Sequence, residues 1–170
     1  MRCQLLDSGL LSAFLHSVPN NPPGDAVTPG FSGPHYTTVA ALTLQGVHAP
    51  FVFKGSMDGP AFETYIEHIL GPDLVAGDRV VMDNLSPHKQ DRIRNLIEAR
   101  GATIEFLPPY SPDLSPIEKC WSKAKAYLRK AKARTFDELL IALDHALRSI
   151  SAQDAAGWFA HCGYAINSTG

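Results

Sequence analysis

The segment from Asp78 to Leu107 constrains the fold more than any other part of the chain. It contains two short apolar runs typical of buried strands, Asp78–Asp83 and Thr103–Leu107. Between them, Ser86-Pro87 favours a helix start and Gly101 stands where a helix-terminating glycine is expected. Because two strands joined through a helix need a crossover connection, this segment predicts a parallel strand–helix–strand unit.

The remaining pattern adds a hairpin before this unit and helices after it. The additional predicted elements are strands at Thr37–Leu44 and Ala49–Phe53, a helix from Pro60 to the Gly71-Pro72 break, and helices at about Pro116–Ala131 and from Thr135 to about Ile150. This order predicts an α/β fold, a mixed sheet flanked by helices. A ribonuclease-H-like arrangement matches the order, as other α/β layers also do.

The chain length suits one compact domain with its own core, at 170 residues. Val18–Gly33 is crowded with Pro, Gly, Asn and Ser, which favour turns and cannot propagate a helix or a central strand. We therefore expect residues 1–35 to form an irregular or non-homologous N-terminal segment, and residues 36–170 to form the α/β domain.

Composition excludes several classes of protein. No apolar run approaches the ~20 residues that a membrane span needs, so we expect no membrane partner. The first residues lack the pattern of a signal peptide. Cys3, Cys120 and Cys162 are widely separated, which argues against a disulfide framework or a thiolate cluster and favours the reducing cytoplasm.

Positive charge is concentrated in one predicted helix. The formal net charge of the chain is −2, yet the 16 positions from Lys119 to Arg134 contain seven basic residues and no acidic one. A local basic stripe can bind phosphate even when the whole chain is nearly neutral.

Two carboxylates occupy positions that favour metal binding. Asp83 ends an apolar strand, where side chains reach the ligand crevice of an open sheet. Glu118 falls in the first turn of the basic helix, with 34 residues between the two. A strand-end Asp and a helix-borne Glu can converge on one hard cation, because Mg²⁺ prefers carboxylate oxygen.

Each of these features also has a purely structural interpretation. Asp83 could be a turn residue that bonds its own backbone, and Glu118 could owe its place to the helix dipole alone. The basic face could be merely solvated. Trp121 and Tyr127 could stack on bases, but aromatic residues at this helical spacing favour the core.

Three stretches of the sequence together resemble the DDE transposases. They are Val80-Val81-Met82-Asp83-Asn84, then Pro87-His88-Lys89, and then Phe106-Leu107-Pro108-Pro109-Tyr110-Ser111-Pro112-Asp113-Leu114-Ser115-Pro116-Ile117-Glu118. The similarity is greatest to the bacterial insertion-sequence branch of the mariner superfamily, and it extends from about Asp25 to Tyr164. The eleven-residue match from Pro108 to Glu118 is far more specific than a lone short motif.

The resemblance implies a ribonuclease-H-like fold and metal-dependent cleavage of transposon-end DNA, followed by strand transfer. It implies that Asp83 and Glu118 bind Mg²⁺ or Mn²⁺. The implied partners are double-stranded DNA, at transposon ends and target, and a second copy of the chain in a homodimer, at a cytoplasmic, nucleoid-associated location. The residues expected to contact DNA or substrate are His88, Lys89, Lys119, Lys123, Lys125 and Arg129.

The first of the family's three carboxylates departs from the pattern. Its usual Asp-Glu-x-Gly-like context is absent, as is an upstream helix-turn-helix region. Asp7, ending a candidate strand within Gln4–Gly9, is the one candidate for this third ligand. We expect a truncated or frame-shifted gene product, in which the loss of one ligand weakens Mg²⁺ binding.

Three functions therefore remain open from the sequence. The first is a transposase domain that cleaves and joins DNA. The second is a catalytically inactive remnant that still binds DNA through the basic helix. The third is an unrelated metal-dependent nuclease on the same fold.

The truncation hypothesis has a test that needs only DNA sequence. If the chain is a fragment, translation of the DNA upstream of its start in every frame should reveal a helix-turn-helix and an Asp-Glu-x-Gly-like segment. Finding neither would count against truncation.

Overall fold

The fold is described from a computed structural model that covers residues 10–18, 36–55, 57–82, 87–109 and 111–165. For residues 10–18 and 87–90 the backbone alone is described. Within these ranges the chain forms one five-stranded sheet with helices on both faces.

The sheet has the order β3-β2-β1-β4-β5. Its strands are β1 Leu10–Val18, β2 Tyr36–Thr43, β3 Gly46–Lys54, β4 Arg79–Met82 and β5 Thr103–Phe106. The first three strands pair antiparallel, whereas β4 pairs parallel with both β1 and β5. The sheet is therefore mixed, as the sequence predicts.

In the described ranges, five α-helices cover the two faces of the sheet. They are α1 Gly59–Tyr65, α2 Pro87–Glu98, α3 Pro116–Ala131, α4 Phe136–Arg148 and α5 Ala152–His161. The chain continues from α1 through a π-helical segment, Ile66–Leu70, and a 3₁₀ turn, Gly71–Asp73. A second 3₁₀ turn, Pro112–Leu114, precedes α3. No helix among the described residues is long and apolar enough to cross a membrane.

Alternation along the central strands divides the apolar side chains into two cores. On one face, Val80 and Met82 of β4 pack with residues of α2 and of the helical segment that includes α1, namely Tyr65, Ile66, Leu70, Ile93 and Ile97. On the other face, Val81 packs with residues of α3, α4 and α5, namely Ile117, Trp121, Leu143, Ala146 and Phe159. The short apolar run of β4 is thus buried on both faces, which explains why it shows no polar alternation.

The predicted strand–helix–strand unit is confirmed by β4, α2 and β5. Gly101 follows α2 with φ +78° and donates its N–H to the carbonyl of Glu98 at 2.9 Å, as a helix-terminating glycine does. The N-cap at Thr135 is also confirmed, because its hydroxyl accepts from the N–H of Glu138 and the Glu138 carboxylate accepts from Thr135 N–H.

Three elements differ from the sequence expectation. Strand β1 occupies residues 10–18, within the segment 1–35 that was expected to be irregular or non-homologous. Helix α5 follows Ile150, where no further helix was predicted; its N-terminus is a capping box in which Ser151 and Asp154 bond each other's backbone N–H. The helix predicted from Pro60 is α-helical only to Tyr65 and becomes π-helical after it.

Replacing Gly101 by Ala should destabilise the protein by about 1–2 kcal/mol, because an L side chain is unfavourable at positive φ. The added Cβ would also lie 3.0 Å from the Cβ of Ala76. Urea unfolding followed by circular dichroism measures the change in the free energy of unfolding.

Gly157→Ala is the matched control, because Gly157 lies within α5 and a Cβ there meets nothing within 4 Å. It should stabilise the protein by about 0.5–1 kcal/mol. Equal effects of the two substitutions would contradict the assigned role of Gly101.

Candidate active site at the carboxyl edge of the parallel strands

The ends of β4 and β5 lie side by side at one edge of the sheet. Met82, the last residue of β4, pairs with Phe106, and its carbonyl accepts from the N–H of Leu107 at 2.8 Å. Asp83 comes directly after Met82 in the sequence, although residues 83–86 lie outside the described ranges. Both strands therefore end at this edge of the sheet, and the chain leaves each of them there.

A structured loop leads from β5 to α3. The N–H of Leu114 bonds the carbonyl of Ser111 at 3.1 Å, and the N–H of Ser115 bonds the carbonyl of Pro112 at 3.0 Å. The Tyr164 hydroxyl donates to the Leu114 carbonyl at 2.8 Å. The loop is thus held at a fixed point by a residue that follows α5, far along the chain.

Glu118 lies in the first turn of α3, as the sequence predicts. The preceding residue, Ile117, is fully buried in the same core as Val81 and Leu107. The start of α3 therefore belongs to the core on the sheet face towards which Val81 of β4 points. Glu118 itself is partly exposed and its carboxylate is favoured there by the helix dipole.

Strand β1 contributes no carboxylate to this edge, because none of its residues is Asp or Glu. Ala13 pairs with Met82, and the next residue, Phe14, pairs with Ala40 of β2. Since Ala40 belongs to the core beneath α3, position 14 lies on the same sheet face as Glu118. Asp7 precedes β1 and lies outside the described residues.

The basic residues of α3 fall on two different faces. Residues four, seven and eleven positions apart share one side of an α-helix, which places Lys125 and Arg129 on the face of Glu118. Lys119 and Lys123 lie about 100° or more around the helix axis. The seven-residue stripe is therefore not one continuous surface, and only Lys125 and Arg129 extend along the helix in line with Glu118.

Lys123 is a tether between α3 and α5. Its Nζ lies 2.6 Å from Oδ2 of Asp154 and 3.2 Å from the Ser149 carbonyl. The hydrogen bond from Lys123, with further bonds from the backbone and side chain of Ser151, lowers the pKa of Asp154 to about 2. The DNA contact predicted from the sequence at Lys123 stays a prediction, and in the structure its partly exposed ammonium group pairs with Asp154.

The two aromatic residues of α3 differ in their surroundings. Trp121 is 1% exposed and belongs to the core, which confirms the sequence preference. Tyr127, for which the core was also favoured, is 39% exposed, because it lines an open cavity between α3 and α4. His88 and Lys89 lie in the first turn of α2, and their side chains are outside the description.

The donor chemistry at this edge suits a hard divalent cation. Glu118 and the sequence neighbour of Met82, Asp83, are carboxylates, which Mg²⁺ prefers. Burial raises the pKa of the Cys120 thiol to about 12 and also raises that of Cys162, so burial favours the neutral thiol at both positions. Within the described ranges no three His, Cys, Asp or Glu residues cluster closely enough to hold a metal ion.

Comparison with known proteins identifies a family and a fold. The sequence model of a family described as DDE superfamily endonuclease matches residues 22–140, which is more than half of the chain. The transposable element Tcb1 transposase of Caenorhabditis briggsae is 27% identical over 100 residues, covering 56% of this chain and 37% of that protein. The chain thus spans well under half the length of this curated relative.

The solved structures that resemble the described fold include two of Mos1 mariner transposase. The catalytic domain of Mos1 mariner transposase aligns with a TM-score of 0.65 at 12% identity, over 90% of this chain and 74% of that one. The mariner Mos1 paired end complex with Mg aligns with a TM-score of 0.64 at 13% identity, over 91% of this chain and 53% of that one. The fold is accordingly of the ribonuclease-H-like α/β type, as the sequence predicts.

Lys123→Met should lower the free energy of unfolding at neutral pH by about 0.5–1 kcal/mol, because it removes a partly exposed ion pair. The pKa of Asp154 is lowered on folding, so the pair's stabilisation is present above about pH 4 and disappears as pH falls towards 2. Urea unfolding of wild type and variant at several pH values measures this difference.

Lys130→Met, on an exposed part of the same helix, is the control and should change stability little at any pH. A Lys123→Met effect that does not shrink between neutral pH and pH 2 would contradict the ion-pair assignment.

Proposed function

This chain belongs to the DDE superfamily endonuclease family, and we propose that it is a transposase domain that cleaves transposon-end DNA and joins it to a target. The observation that carries the proposal is the pairing of two strand ends at one edge of the sheet. The end of β4, before Asp83, lies beside the end of β5, and the loop from β5 leads to the start of α3, which bears Glu118.

In this proposal Asp83 and Glu118 hold Mg²⁺ or Mn²⁺, which their carboxylate chemistry favours. When bound, such ions would activate the attacking water or 3′-hydroxyl and stabilise the leaving oxygen of the phosphodiester. Glu118 is suited to the task because Ile117 and the Tyr164-bound loop hold its helix turn in place. A ligand on a packed helix keeps its geometry better than one on a free loop.

The other residues of the proposed site bind and orient DNA. Lys125 and Arg129 continue along α3 from Glu118 and would neutralise backbone phosphates leading away from the reacting bond. His88 and Lys89, in the first turn of α2 after Asp83, would contact phosphate or substrate. Lys119 would contribute from the neighbouring face, while Lys123 acts chiefly through Asp154.

A third carboxylate is proposed at Asp7, the sequence candidate. The absence of Asp and Glu from β1 means that this ligand must come from elsewhere. With only two carboxylates, the site would bind its cation weakly, because Mg²⁺ already relies on few protein ligands. Double-stranded transposon-end and target DNA are the proposed substrates, a homodimer the proposed assembly, and the nucleoid the proposed location.

The test is nicking of supercoiled plasmid DNA in the presence of Mg²⁺ or Mn²⁺. Glu118→Gln and Asp83→Asn should each reduce the rate at least about 100-fold, because even partners of metal ligands matter by 10–100-fold. Asp7→Asn should reduce it comparably if Asp7 is the third ligand, and unchanged activity would eliminate Asp7.

Glu98→Gln provides the control, since it makes the same chemical change at the exposed end of α2. Cleavage that survives both Glu118→Gln and Asp83→Asn would overturn the proposed site. A wild-type chain that never nicks but binds DNA with strong salt dependence would be an inactive remnant.

A further inference from the structure

A cavity of about 430 Å³ lies between the end of α3 and the facing side of α4. Its apolar wall includes Tyr127 and Ile141, which are 39% and 58% exposed. Its basic rim includes Lys132, Arg134 and His145. The volume falls within the range of ~300–1,000 Å³ typical of small-molecule sites.

The cavity is open because small residues occupy the places where α3 and α4 diverge. Ala131, Ala133 and Ala142 line it, so no long apolar side chain fills the gap. Helix α3 ends with Lys132 in the left-handed conformation, at φ 51° and ψ 38°, and its N–H bonds the Leu128 carbonyl at 3.3 Å. A lysine at a position that favours glycine costs about 1–2 kcal/mol.

The charge around the cavity is complementary to a polyanion. No acidic residue occurs between Lys119 and Arg134. The one carboxylate that lines the cavity, Glu138, accepts from the backbone N–H groups of Arg134 and Thr135 at 2.7 and 3.2 Å. These bonds lower the pKa of Glu138 and hold its charge at the helix start, whereas Lys132 and Arg134 at the rim carry positive charges.

We propose that this cavity binds an unpaired nucleotide of a DNA strand. The base lies against the exposed ring of Tyr127 and the side chain of Ile141, while Lys132 and Arg134 contact the flanking phosphates. Aromatic residues beside a basic track are a common way to hold single strands. A base inside a duplex could not enter such a concavity, so the nucleotide must be unpaired or flipped out.

The position of the cavity relates it to the proposed cleavage site, so this inference rests on the proposed DNA function. Lys132 lies fourteen residues after Glu118, or about 21 Å along the helix axis. At about 3.4 Å per nucleotide this corresponds to about six nucleotides. Lys125 and Arg129 lie between along the axis, on the face of Glu118. Tyr127 lies about half a turn round the helix from that face, so a strand that follows α3 from the reacting phosphate would pass around the end of the helix to enter the cavity.

The experiment measures binding of fluorescein-labelled DNA to the full chain by fluorescence anisotropy in EDTA, so that cleavage and metal play no part. One probe is a blunt duplex, and the other is the same duplex with a short 3′ thymidine overhang. The wild-type protein should bind the overhang probe more tightly. Tyr127→Ala should weaken overhang binding about tenfold and abolish that preference, whereas Tyr127→Phe should retain it.

Lys132→Gly removes the rim charge while suiting the left-handed backbone, so any loss of binding cannot be attributed to unfolding. It should flatten the slope of log affinity against log salt by about 0.7–0.9. Arg134→Gln should do the same, since Glu138 bonds its backbone rather than its side chain. Arg100→Gln, at an exposed position just after α2 and at the opposite end of that helix from His88 and Lys89, is the matched control.

Unchanged overhang affinity in Tyr127→Ala would overturn the proposal. A change in sedimentation of Tyr127→Ala without a change in DNA affinity would also overturn it, and would identify the cavity as a protein interface. The two proposals fail separately. If Tyr127→Ala loses the preference for the overhang, nucleotide binding in the cavity is supported even if the chain does not nick DNA. If the chain nicks DNA but Tyr127→Ala keeps that preference, the proposed cleavage site stands and the proposed nucleotide site does not.

Discussion

The parallel pairing of β4 with its two neighbours is the constraint on which the candidate site depends. It sends β1, β4 and β5 in one direction, so that the end of β4 and the start of the loop to α3 lie together at one edge. The bond from Leu107 N–H to the Met82 carbonyl continues this pairing to the last residue of β4. Everything proposed for Asp83 and Glu118 follows from that shared edge.

The sequence predicted most of the elements that build this edge, because they carry strong local signals. Short local patterns are enough to identify the structural roles of Gly101, of the capping residue Thr135 and of the apolar run of β4. Local sequence signals did not predict elements whose structure depends on pairing or packing with distant parts of the chain. Strand β1 is central and pairs on both sides, but its neighbours in sequence favour turns. Helix α5 begins with Ser151 and Asp154, a capping pair that could have revealed it.

Side-chain roles were harder to predict than elements. A run of basic residues indicates charge but not the face on which each residue lies, and Lys123 proved to pair with a carboxylate 31 residues later. Trp121 and Tyr127 lie six residues apart on the same helix, yet Trp121 is buried and Tyr127 is exposed. Such differences depend on which helix packs against which side of α3, and periodicity alone does not contain that information.

The position of β1 in the sheet has a consequence for how the chain folds. The hairpin of β2 and β3 and the unit of β4, α2 and β5 each form from residues close in sequence, but they join only through β1. Pairing β1 with β4 brings together residues about 69 positions apart. The entropy cost of closing such a long loop comes before the stabilising contacts form, and this slows folding. We expect the hairpin and the β4–α2–β5 unit to form first and to join only when β1 pairs with both. Until then, their unpaired strand edges are exposed and favour aggregation.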